Sequence, residues 1–189
     1  MNRREEILDE AMALLVEEGL SRLTMKRVAE RVGFSEPAMY RHFKDKEDLM
    51  LAMIERVRGR FFRIADQADL SAPPRTYLEQ TFCRILAYLE EVRGVTILFL
   101  SDSTYNRKEP LRQALLDWFR GMSSRFTEYL EGAKARGQVP PDLDPAAAAL
   151  TWLGAVQALT IRYILEEGRV SITGSCDEVL EILLRGVTR

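Results

Sequence analysis

Hydrophobic residues recur at helical spacing along almost the whole chain. The stretch from residue 3 to residue 18 shows this first, with apolar side chains on one face at Ile7, Leu8, Ala11, Met12, Leu14 and Leu15. Two short helices are predicted next, at residues 25–32 after a capping Thr24 and at residues 35–42 after the break at Gly33. The pattern therefore predicts a three-helix unit near the N-terminus.

The later helices are bounded by residues that commonly start or stop them. Asp45 is predicted to cap a long helix to about residue 67, and residues 71–74 form the clearest joint in the chain. Asp144 followed by Pro145 is a strong helix start. Further helical stretches are predicted at about residues 75–91, 95–100, 111–135, 144–167 and 175–187. Strand signals are scarce, so the predicted fold class is all-α, with a three-helix head at residues 1–48 and a larger helical body at residues 49–189.

Composition fits a soluble folded protein, with 47% hydrophobic and 30% charged residues among 189. The richest apolar run, residues 94–100, falls far short of the roughly 20 residues that a membrane helix needs. The charged start of the chain has no signal-peptide pattern, so we expect a cytoplasmic protein with no membrane partner. Cys83 and Cys176 lack any metal-binding spacing and are expected to be two reduced thiols.

The charge is unevenly distributed. The net charge of the chain is −2, which by itself argues against a nucleic-acid partner. Residues 22–46, however, contain seven basic residues against three acidic ones. A local excess of this kind can neutralise phosphates while the rest of the surface stays acidic, although many solvated helices carry similar runs.

The predicted third helix is so short that its sequence is free to serve an exposed surface. Ala38, Met39 and Phe43 are expected to face inward. The remaining residues present polar groups outward: Ser35, Glu36, Pro37, Tyr40, Arg41 and His42. Hydroxyl, guanidinium and imidazole groups donate to phosphate oxygens or reach base edges, which predicts a helix-turn-helix that contacts DNA.

The run from Leu23 to Ser35, continued from Met39 to Leu49, resembles the TetR family of repressors. The resemblance covers about residues 3–51 and includes the tyrosine, histidine, phenylalanine and two lysines at the family's spacing. It implies that the head is a DNA-binding domain and that the body is an effector-binding and dimerisation domain. It further implies double-stranded operator DNA, a second copy of the chain and a small effector as partners.

Matched residue by residue, the resemblance implies specific DNA contacts. Groove contacts are implied for Lys26, Pro37 and Arg41. Contacts to the DNA backbone are implied for Thr24, Ser35, Ala38, Tyr40, His42 and Lys46. Two positions depart from the pattern, since Ala38 lacks a polar side chain and the Glu36 carboxylate is repelled by phosphate unless it accepts from a cytosine amino group. Tyr40 as half-buried core and Lys44 as a merely solvated charge remain alternatives.

The helix predicted at residues 144–167 is rich in small residues that let another helix approach closely. Together with the last helix it predicts a four-helix interface in a homodimer, with contacts from Ala147, Gly154, Ala155, Ala158, Val179 and Leu183. Ordinary packing within one chain is the alternative. A dimer suits the function, because two short helices across a two-fold axis read both halves of a palindrome.

Large side chains in the body are candidates for the wall of an effector pocket. The candidates are Phe99, Trp118, Met122, Phe126 and Trp152, with Arg162 or Asp102 as a polar anchor. Few charges interrupt these faces, so the expected effector is largely apolar. An aromatic stripe at helical spacing is, however, often plain core.

The chemistry of an enzyme is missing from the sequence. The chain has one histidine, within the DNA motif, and no P-loop or dinucleotide-binding glycine motif, so neither catalysis nor a cofactor is expected. The predicted function is a ligand-responsive repressor. The alternative is a DNA-bound protein-recruiting factor of the nucleoid-occlusion type that senses no ligand; its likeness to the body of this chain is limited.

Overall fold

The computed structural model describes residues 3–105 and 109–187, with the backbone alone for residues 101–105 and 187. Every regular element in those ranges is helical, which confirms the predicted all-α class. The α-helices are α1 (Arg3–Glu18), α2 (Met25–Val32), α3 (Glu36–Met39), α4 (Lys46–Asp66), α5 (Pro74–Leu78), α6 (Arg84–Glu91), α7 (Val95–Tyr105), α8 (Glu109–Ala135), α9 (Pro145–Leu165) and α10 (Cys176–Val187). Single 3₁₀ turns lie at Leu20–Arg22 and Thr173–Ser175.

The chain forms two compact units. Unit 1 contains Met1–Arg58 and Val95–Leu116, and unit 2 contains Gly59–Gly94 and Asp117–Arg189. Compactness and function need not divide a chain at the same residue, so the expected DNA-binding head at residues 1–48 stays a prediction.

The core of unit 1 is built where the hydrophobic pattern placed it. The face of α1 is buried at Ile7, Leu8, Ala11, Leu14 and Leu15. Met25, Val28 and Ala29 of α2 are buried as well, and Met39 and Phe43 are at most 1% exposed. Apolar burial of this kind is the main term that stabilises a small helical unit.

Local side-chain bonds fix the starts of three helices as predicted, whereas the expected cap from the Ser35 side chain at α3 is not formed. The Thr24 hydroxyl accepts from the Arg27 backbone N–H at 3.2 Å and caps α2. Asp45 accepts from the Asp48 N–H at 2.8 Å at the start of α4. Asp144 accepts from the second and third residues of α9. These caps satisfy N–H groups that a helix leaves without intrahelical partners.

Three helices differ from their predicted extents. α3 ends at Met39, because the N–H groups of Arg41 and His42 bond to the carbonyls three residues earlier and tighten the chain into turns. The predicted helix at 75–91 contains a π-helical turn at Glu79–Cys83. α7 extends to Tyr105 instead of about residue 100.

Unit 2 is built around aromatic side chains. The rings of Tyr77 and Tyr129 stack in parallel with centroids 3.5 Å apart, and the Tyr129 hydroxyl donates to the Ala72 carbonyl at 3.0 Å. Burial raises the pKa of Tyr129 to about 12. Phe126 meets the Trp152 ring edge-on at 5.5 Å. Phe126 and Trp152, two residues of the expected effector pocket wall, thus belong to a packed aromatic cluster.

The expectation of two reduced thiols is wrong for this structure. Cys83, in the π-helical turn, and Cys176, at the start of α10, form a disulfide with their Cα atoms 5.7 Å apart. They are 93 residues apart in sequence, so their approach depends on tertiary packing that spacing alone does not reveal.

Among the described residues, one helix is long and apolar enough to cross a membrane by length and composition, namely α9. Uninterrupted apolar runs do not reveal this property, because α9 reaches a high mean hydropathy through many small and aliphatic residues. The core helix of a soluble protein passes the same test.

Candidate nucleic-acid interface

The turn between α2 and α3 sets the direction of α3. Gly33 ends α2 with φ 77°, in the left-handed region that favours glycine, and the Phe34 N–H bonds back to the Ala29 carbonyl at 2.8 Å. Met39 and Phe43 then anchor the following segment in the core of unit 1. The result is a helix-turn-helix in which α3 and the turn after it lie at the surface.

Two arginines of the basic run tie α2 to α1. Arg31 donates to Glu10 at 3.0 Å and to Glu17 at 2.7 Å, and these carboxylates raise the pKa of its guanidinium. Arg27 is paired with Glu18 at 2.6 Å. The charge excess of residues 22–46 is therefore partly neutralised by α1. Sequence reasoning missed this role, although the acidic residues of α1 were a visible signal.

The predicted DNA-contacting residues of α3 and its turn share an exposed surface. Ser35, Pro37, Tyr40 and Arg41 are all exposed. Tyr40 is 49% exposed and does not belong to the buried core, and its hydroxyl donates weakly to Glu36 at 3.4 Å. The guanidinium of Arg41 has no hydrogen-bond or ion-pair partner among the described residues. Arg41 is thus available for an external acceptor.

The other predicted contacts are more constrained. Lys26 is exposed and 4.0 Å from Glu30, and Thr24 already caps α2. His42 is partly buried and stacks on Phe34 with centroids 6.1 Å apart. Ala38 is partly buried too.

Lys46 begins α4, as its predicted position requires. Its ammonium group donates to the Leu20 carbonyl at 3.1 Å and is partly buried. It therefore ties the start of α4 to the first residue of the 3₁₀ turn at Leu20–Arg22 as well as adding charge to the surface. A substitution at this position would disturb both.

Two further cations lie over aromatic rings of the same motif. The Arg4 guanidinium is 4.7 Å from the centre of the Phe43 ring, and Arg3 is 5.4 Å from that of Phe34. Arrangements of this kind are favourable electrostatically. They place positive charge beside the helix-turn-helix from outside the basic run, and the sequence analysis did not predict it.

The candidate effector residues are buried. Trp118, Met122, Phe126 and Trp152 belong to unit 2, whereas Phe99 lies in the core of unit 1. The indole N–H of Trp152 and the hydroxyl of Tyr77 are buried and have no hydrogen-bond partner within the described part of the chain. Of the two candidate polar anchors, Arg162 is exposed and donates to Ser175 at 2.6 Å, and the side chain of Asp102 lies outside the described residues.

The candidate dimer residues of α9 line an exposed face. Ala147, Gly154 and Ala158 are exposed, Ala155 is partly buried, and the space beside Gly154 is open. Larger apolar side chains continue the same line along the helix, at Leu150, Ile161 and Leu165. Their spacing repeats every three or four residues, so they form one stripe.

On α10 the exposed apolar side chain is Ile182, at 68%. Val179 is partly buried, and Leu183 lies in the core of its own unit. α9 and α10 contact each other, so Ile182 extends the apolar surface beyond the stripe. This surface has no partner among the described residues.

Comparison with known proteins places the chain among bacterial regulators. Residues 7–53 match the model for bacterial regulatory proteins of the tetR family. The nucleoid occlusion factor SlmA of Vibrio atlanticus (strain LGP32) is 30% identical over 189 residues, which cover 96% of this chain and 94% of its own. That alignment spans the body as well as the head.

Solved structures share the fold along the whole chain. The transcriptional regulator FadR from Bacillus subtilis, in complex with stearoyl-CoA, superimposes with a TM-score of 0.83 at 18% identity, covering 96% of this chain and 98% of that one. The SmeT–triclosan complex superimposes with a TM-score of 0.81 at 24% identity, covering 100% and 93%. At these identities the likeness concerns the fold alone.

Proposed function

Because the chain belongs to the TetR family of bacterial regulatory proteins, we propose that it is a dimeric transcriptional regulator, in particular a repressor released from a palindromic operator by a small, largely apolar ligand. This function is regulatory and not catalytic, and it is exercised in the cytoplasm on double-stranded DNA. The observation that carries the proposal is the exposed segment from Ser35 to Arg41, with its unpaired guanidinium.

The segment offers the two kinds of contact that operator recognition needs. Arg41 can donate two parallel hydrogen bonds to a guanine, and Pro37 can contact a thymine methyl group, so these residues and Lys26 read the groove. Thr24, Ser35, Tyr40, His42 and the backbone at Ala38 position the head on phosphates, and Lys46 adds charge.

A dimer gives two such segments the spacing of operator half-sites. The apolar stripe of α9, with Ile182 of α10, is the surface proposed to pair with a second copy. Replacing Leu150 with Glu buries a charge in that interface and should convert the dimer to a monomer in sedimentation experiments. Leu70→Glu is the matched control, since Leu70 is an exposed leucine of the same unit away from α9. Equal dimer content in the two variants would place the interface elsewhere.

The effector site is proposed to lie in the aromatic cluster of unit 2, along Trp118, Met122, Phe126 and Trp152. The unpartnered indole N–H of Trp152 supports a ligand that is apolar overall and carries one hydrogen-bond acceptor. The FadR and SmeT structures contain stearoyl-CoA and triclosan, both with large apolar parts. Trp152→Phe keeps an aromatic ring and removes the N–H donor, so it should weaken the binding of an oxygen-bearing ligand more than that of a hydrocarbon.

The second candidate is a recruiting factor of the nucleoid-occlusion type. It is favoured by the relative from Vibrio atlanticus, which aligns along head and body alike. Selection and sequencing of genomic fragments retained by the purified protein separates the two functions. A few palindromic sites near its own gene are expected for a local repressor, and many dispersed sites would favour the recruiter. Retention of no fragment would contradict both.

A further inference from the structure

A cleft of about 330 Å³ lies between α4 and α6 in unit 2. On one side it is lined by Arg60, Ile64 and Arg63 of α4 and by Gln67, which follows directly after that helix. From α6 it is lined by Arg84, Ala87, Tyr88 and Glu91. The walls therefore present three guanidinium groups and one amide, against a single carboxylate.

None of the three guanidinium groups has an ion-pair partner among the described residues. Other arginines of unit 2 are paired: Arg75 with Glu181, Arg125 with Asp66 and Arg169 with Glu167. Like charges that line one cleft repel each other and destabilise the fold, and the chain, with a net charge of −2, has many carboxylates that could have relieved this. The shortage of counter-charge, with Glu91 as the one carboxylate of the lining, is the feature that needs an explanation.

One wall of the cleft orients an arginine. Ile64 is buried, and the Arg60 guanidinium lies over the Tyr88 ring at 5.9 Å from its centre. An arginine supported by an aromatic face is directed toward a ligand with less loss of side-chain entropy.

We propose that this cleft binds a small soluble molecule through a phosphate group or another dianionic group. Guanidinium groups donate paired hydrogen bonds that match phosphate oxygens, and three of them compensate more than one negative charge. A volume of about 330 Å³ suits a small molecule. The site is distinct from the aromatic effector cluster, and it does not depend on DNA binding.

The test is calorimetric titration of the full chain with inorganic pyrophosphate at low ionic strength. The double variant Arg60→Gln/Arg84→Gln should bind pyrophosphate at least tenfold more weakly. Because the substitution also removes repulsion, the variant should melt at a higher temperature than the wild type when no anion is present. Pyrophosphate should raise the melting temperature of the wild type more than that of the variant.

Arg120→Gln is the matched control. Arg120 is an exposed arginine of the same unit, in a shallow groove that also contains Glu128 and Glu131. Its replacement should leave pyrophosphate affinity within twofold of the wild type. Equal losses in the control and the double variant would show a general charge effect and overturn the proposal, as would a wild type that does not bind pyrophosphate.

The same experiment tests whether the cleft binds a different class of anionic partner. A duplex DNA of random sequence, vesicles containing phosphatidic acid and a poly-glutamate peptide are titrated in parallel. If the double variant loses affinity for one of these and keeps that for pyrophosphate, the cleft serves a macromolecule or a membrane and the proposal is wrong.

Discussion

The two compact units are stabilised by different chemistry. Unit 1 has a largely aliphatic core, and its helices are joined at the surface by ion pairs such as those of Arg27 and Arg31 with the carboxylates of α1. Unit 2 has stacked and edge-on aromatic rings, as between Tyr77 and Tyr129, and a disulfide between Cys83 and Cys176. The first kind of contact is exposed to solvent, and the second is buried or covalent.

This difference predicts different responses to solution conditions. Partly exposed ion pairs contribute little individually and weaken as salt is added. Aromatic packing is insensitive to moderate salt, whereas a disulfide responds to reducing agents. Unit 1 is therefore expected to respond to ionic strength, and unit 2 to redox conditions.

The largest effect is expected from removal of the disulfide. The variant Cys83→Ser/Cys176→Ser should lower the free energy of unfolding of unit 2 by about 2–5 kcal/mol, because the crosslink no longer restricts the unfolded chain. Urea unfolding followed by tryptophan fluorescence reports on this unit, which contains both Trp118 and Trp152.

Dithiothreitol provides the control for that prediction. Reduced wild type should unfold at the same urea concentration as the serine variant, and the variant itself should not respond to the reductant. A wild type whose midpoint is unchanged by reduction would contradict a stabilising role of the disulfide. Specific DNA affinity, measured where both proteins are folded, should change far less than stability does.

The next effect is in unit 1 and concerns DNA. Arg41→Gln should weaken binding to the operator by about 1–3 kcal/mol, since paired hydrogen bonds to a base are lost. Fluorescence anisotropy with the selected operator and with a random duplex separates the two contributions. Affinity for the operator should fall, whereas affinity for the random duplex should change little.

Lys44→Gln is the control for Arg41, since it removes the same charge from an exposed side chain of the neighbouring turn. Lys44→Gln should weaken binding to the operator and to the random duplex slightly and to a similar extent. If Arg41→Gln behaves in the same way, Arg41 contacts phosphate only and its proposed groove role is wrong.

Local features of this structure were accessible from the sequence. Thr24, Asp45 and Asp144 cap their helices as predicted, because a cap depends on residues two or three positions away. Gly33 takes the left-handed conformation for the same local reason. The exposed surface of α3 could also be predicted from the sequence, since helical spacing separates the buried Met39 from the polar residues of this helix.

Features that depend on distant contacts were not accessible. The Cys83–Cys176 disulfide joins residues far apart in sequence, and the pairing of Arg31 with α1 depends on how two helices cross. The arginine cleft likewise combines α4 with α6. In each case the residue types were visible, but their partners are set by packing.

A smaller effect is expected from the ion pairs of unit 1. Arg31→Gln removes the bonds to Glu10 and Glu17 and should destabilise this unit by about 1 kcal/mol, because all three side chains are partly exposed. The difference from wild type should shrink in 1 M NaCl, as measured by hydrogen exchange of α2 amides. Arg22→Gln, an exposed arginine without an ion-pair partner among the described residues, should show no such difference. A salt-independent loss at Arg31 would mean that its packing matters more than its charge.

The smallest effect on stability is expected at Glu90, which accepts hydrogen bonds from the segment before α10. Its carboxylate accepts from the Thr173 N–H at 3.0 Å, the Thr173 hydroxyl at 2.6 Å and the Ser171 hydroxyl at 3.1 Å. Burial opposes ionisation, but these hydrogen bonds outweigh it and lower the pKa of Glu90. Glu90→Gln should therefore reduce the stability of unit 2 by about 1 kcal/mol at pH 7.

The sign of the pH dependence makes this prediction specific. A carboxyl group whose pKa is lower in the folded state stabilises that state above the pKa of the unfolded chain, and the contribution disappears as the pH falls through the folded value. The difference between wild type and Glu90→Gln in urea unfolding should thus be constant from pH 6 to pH 8 and vanish in acid. Glu131→Gln, which replaces an exposed glutamate of α8 in the same unit without an ion-pair partner among the described residues, should follow the wild type throughout. A difference at Glu90 that persists below its folded pKa would show that the glutamine acts by altered packing, since the charged hydrogen bonds no longer exist there.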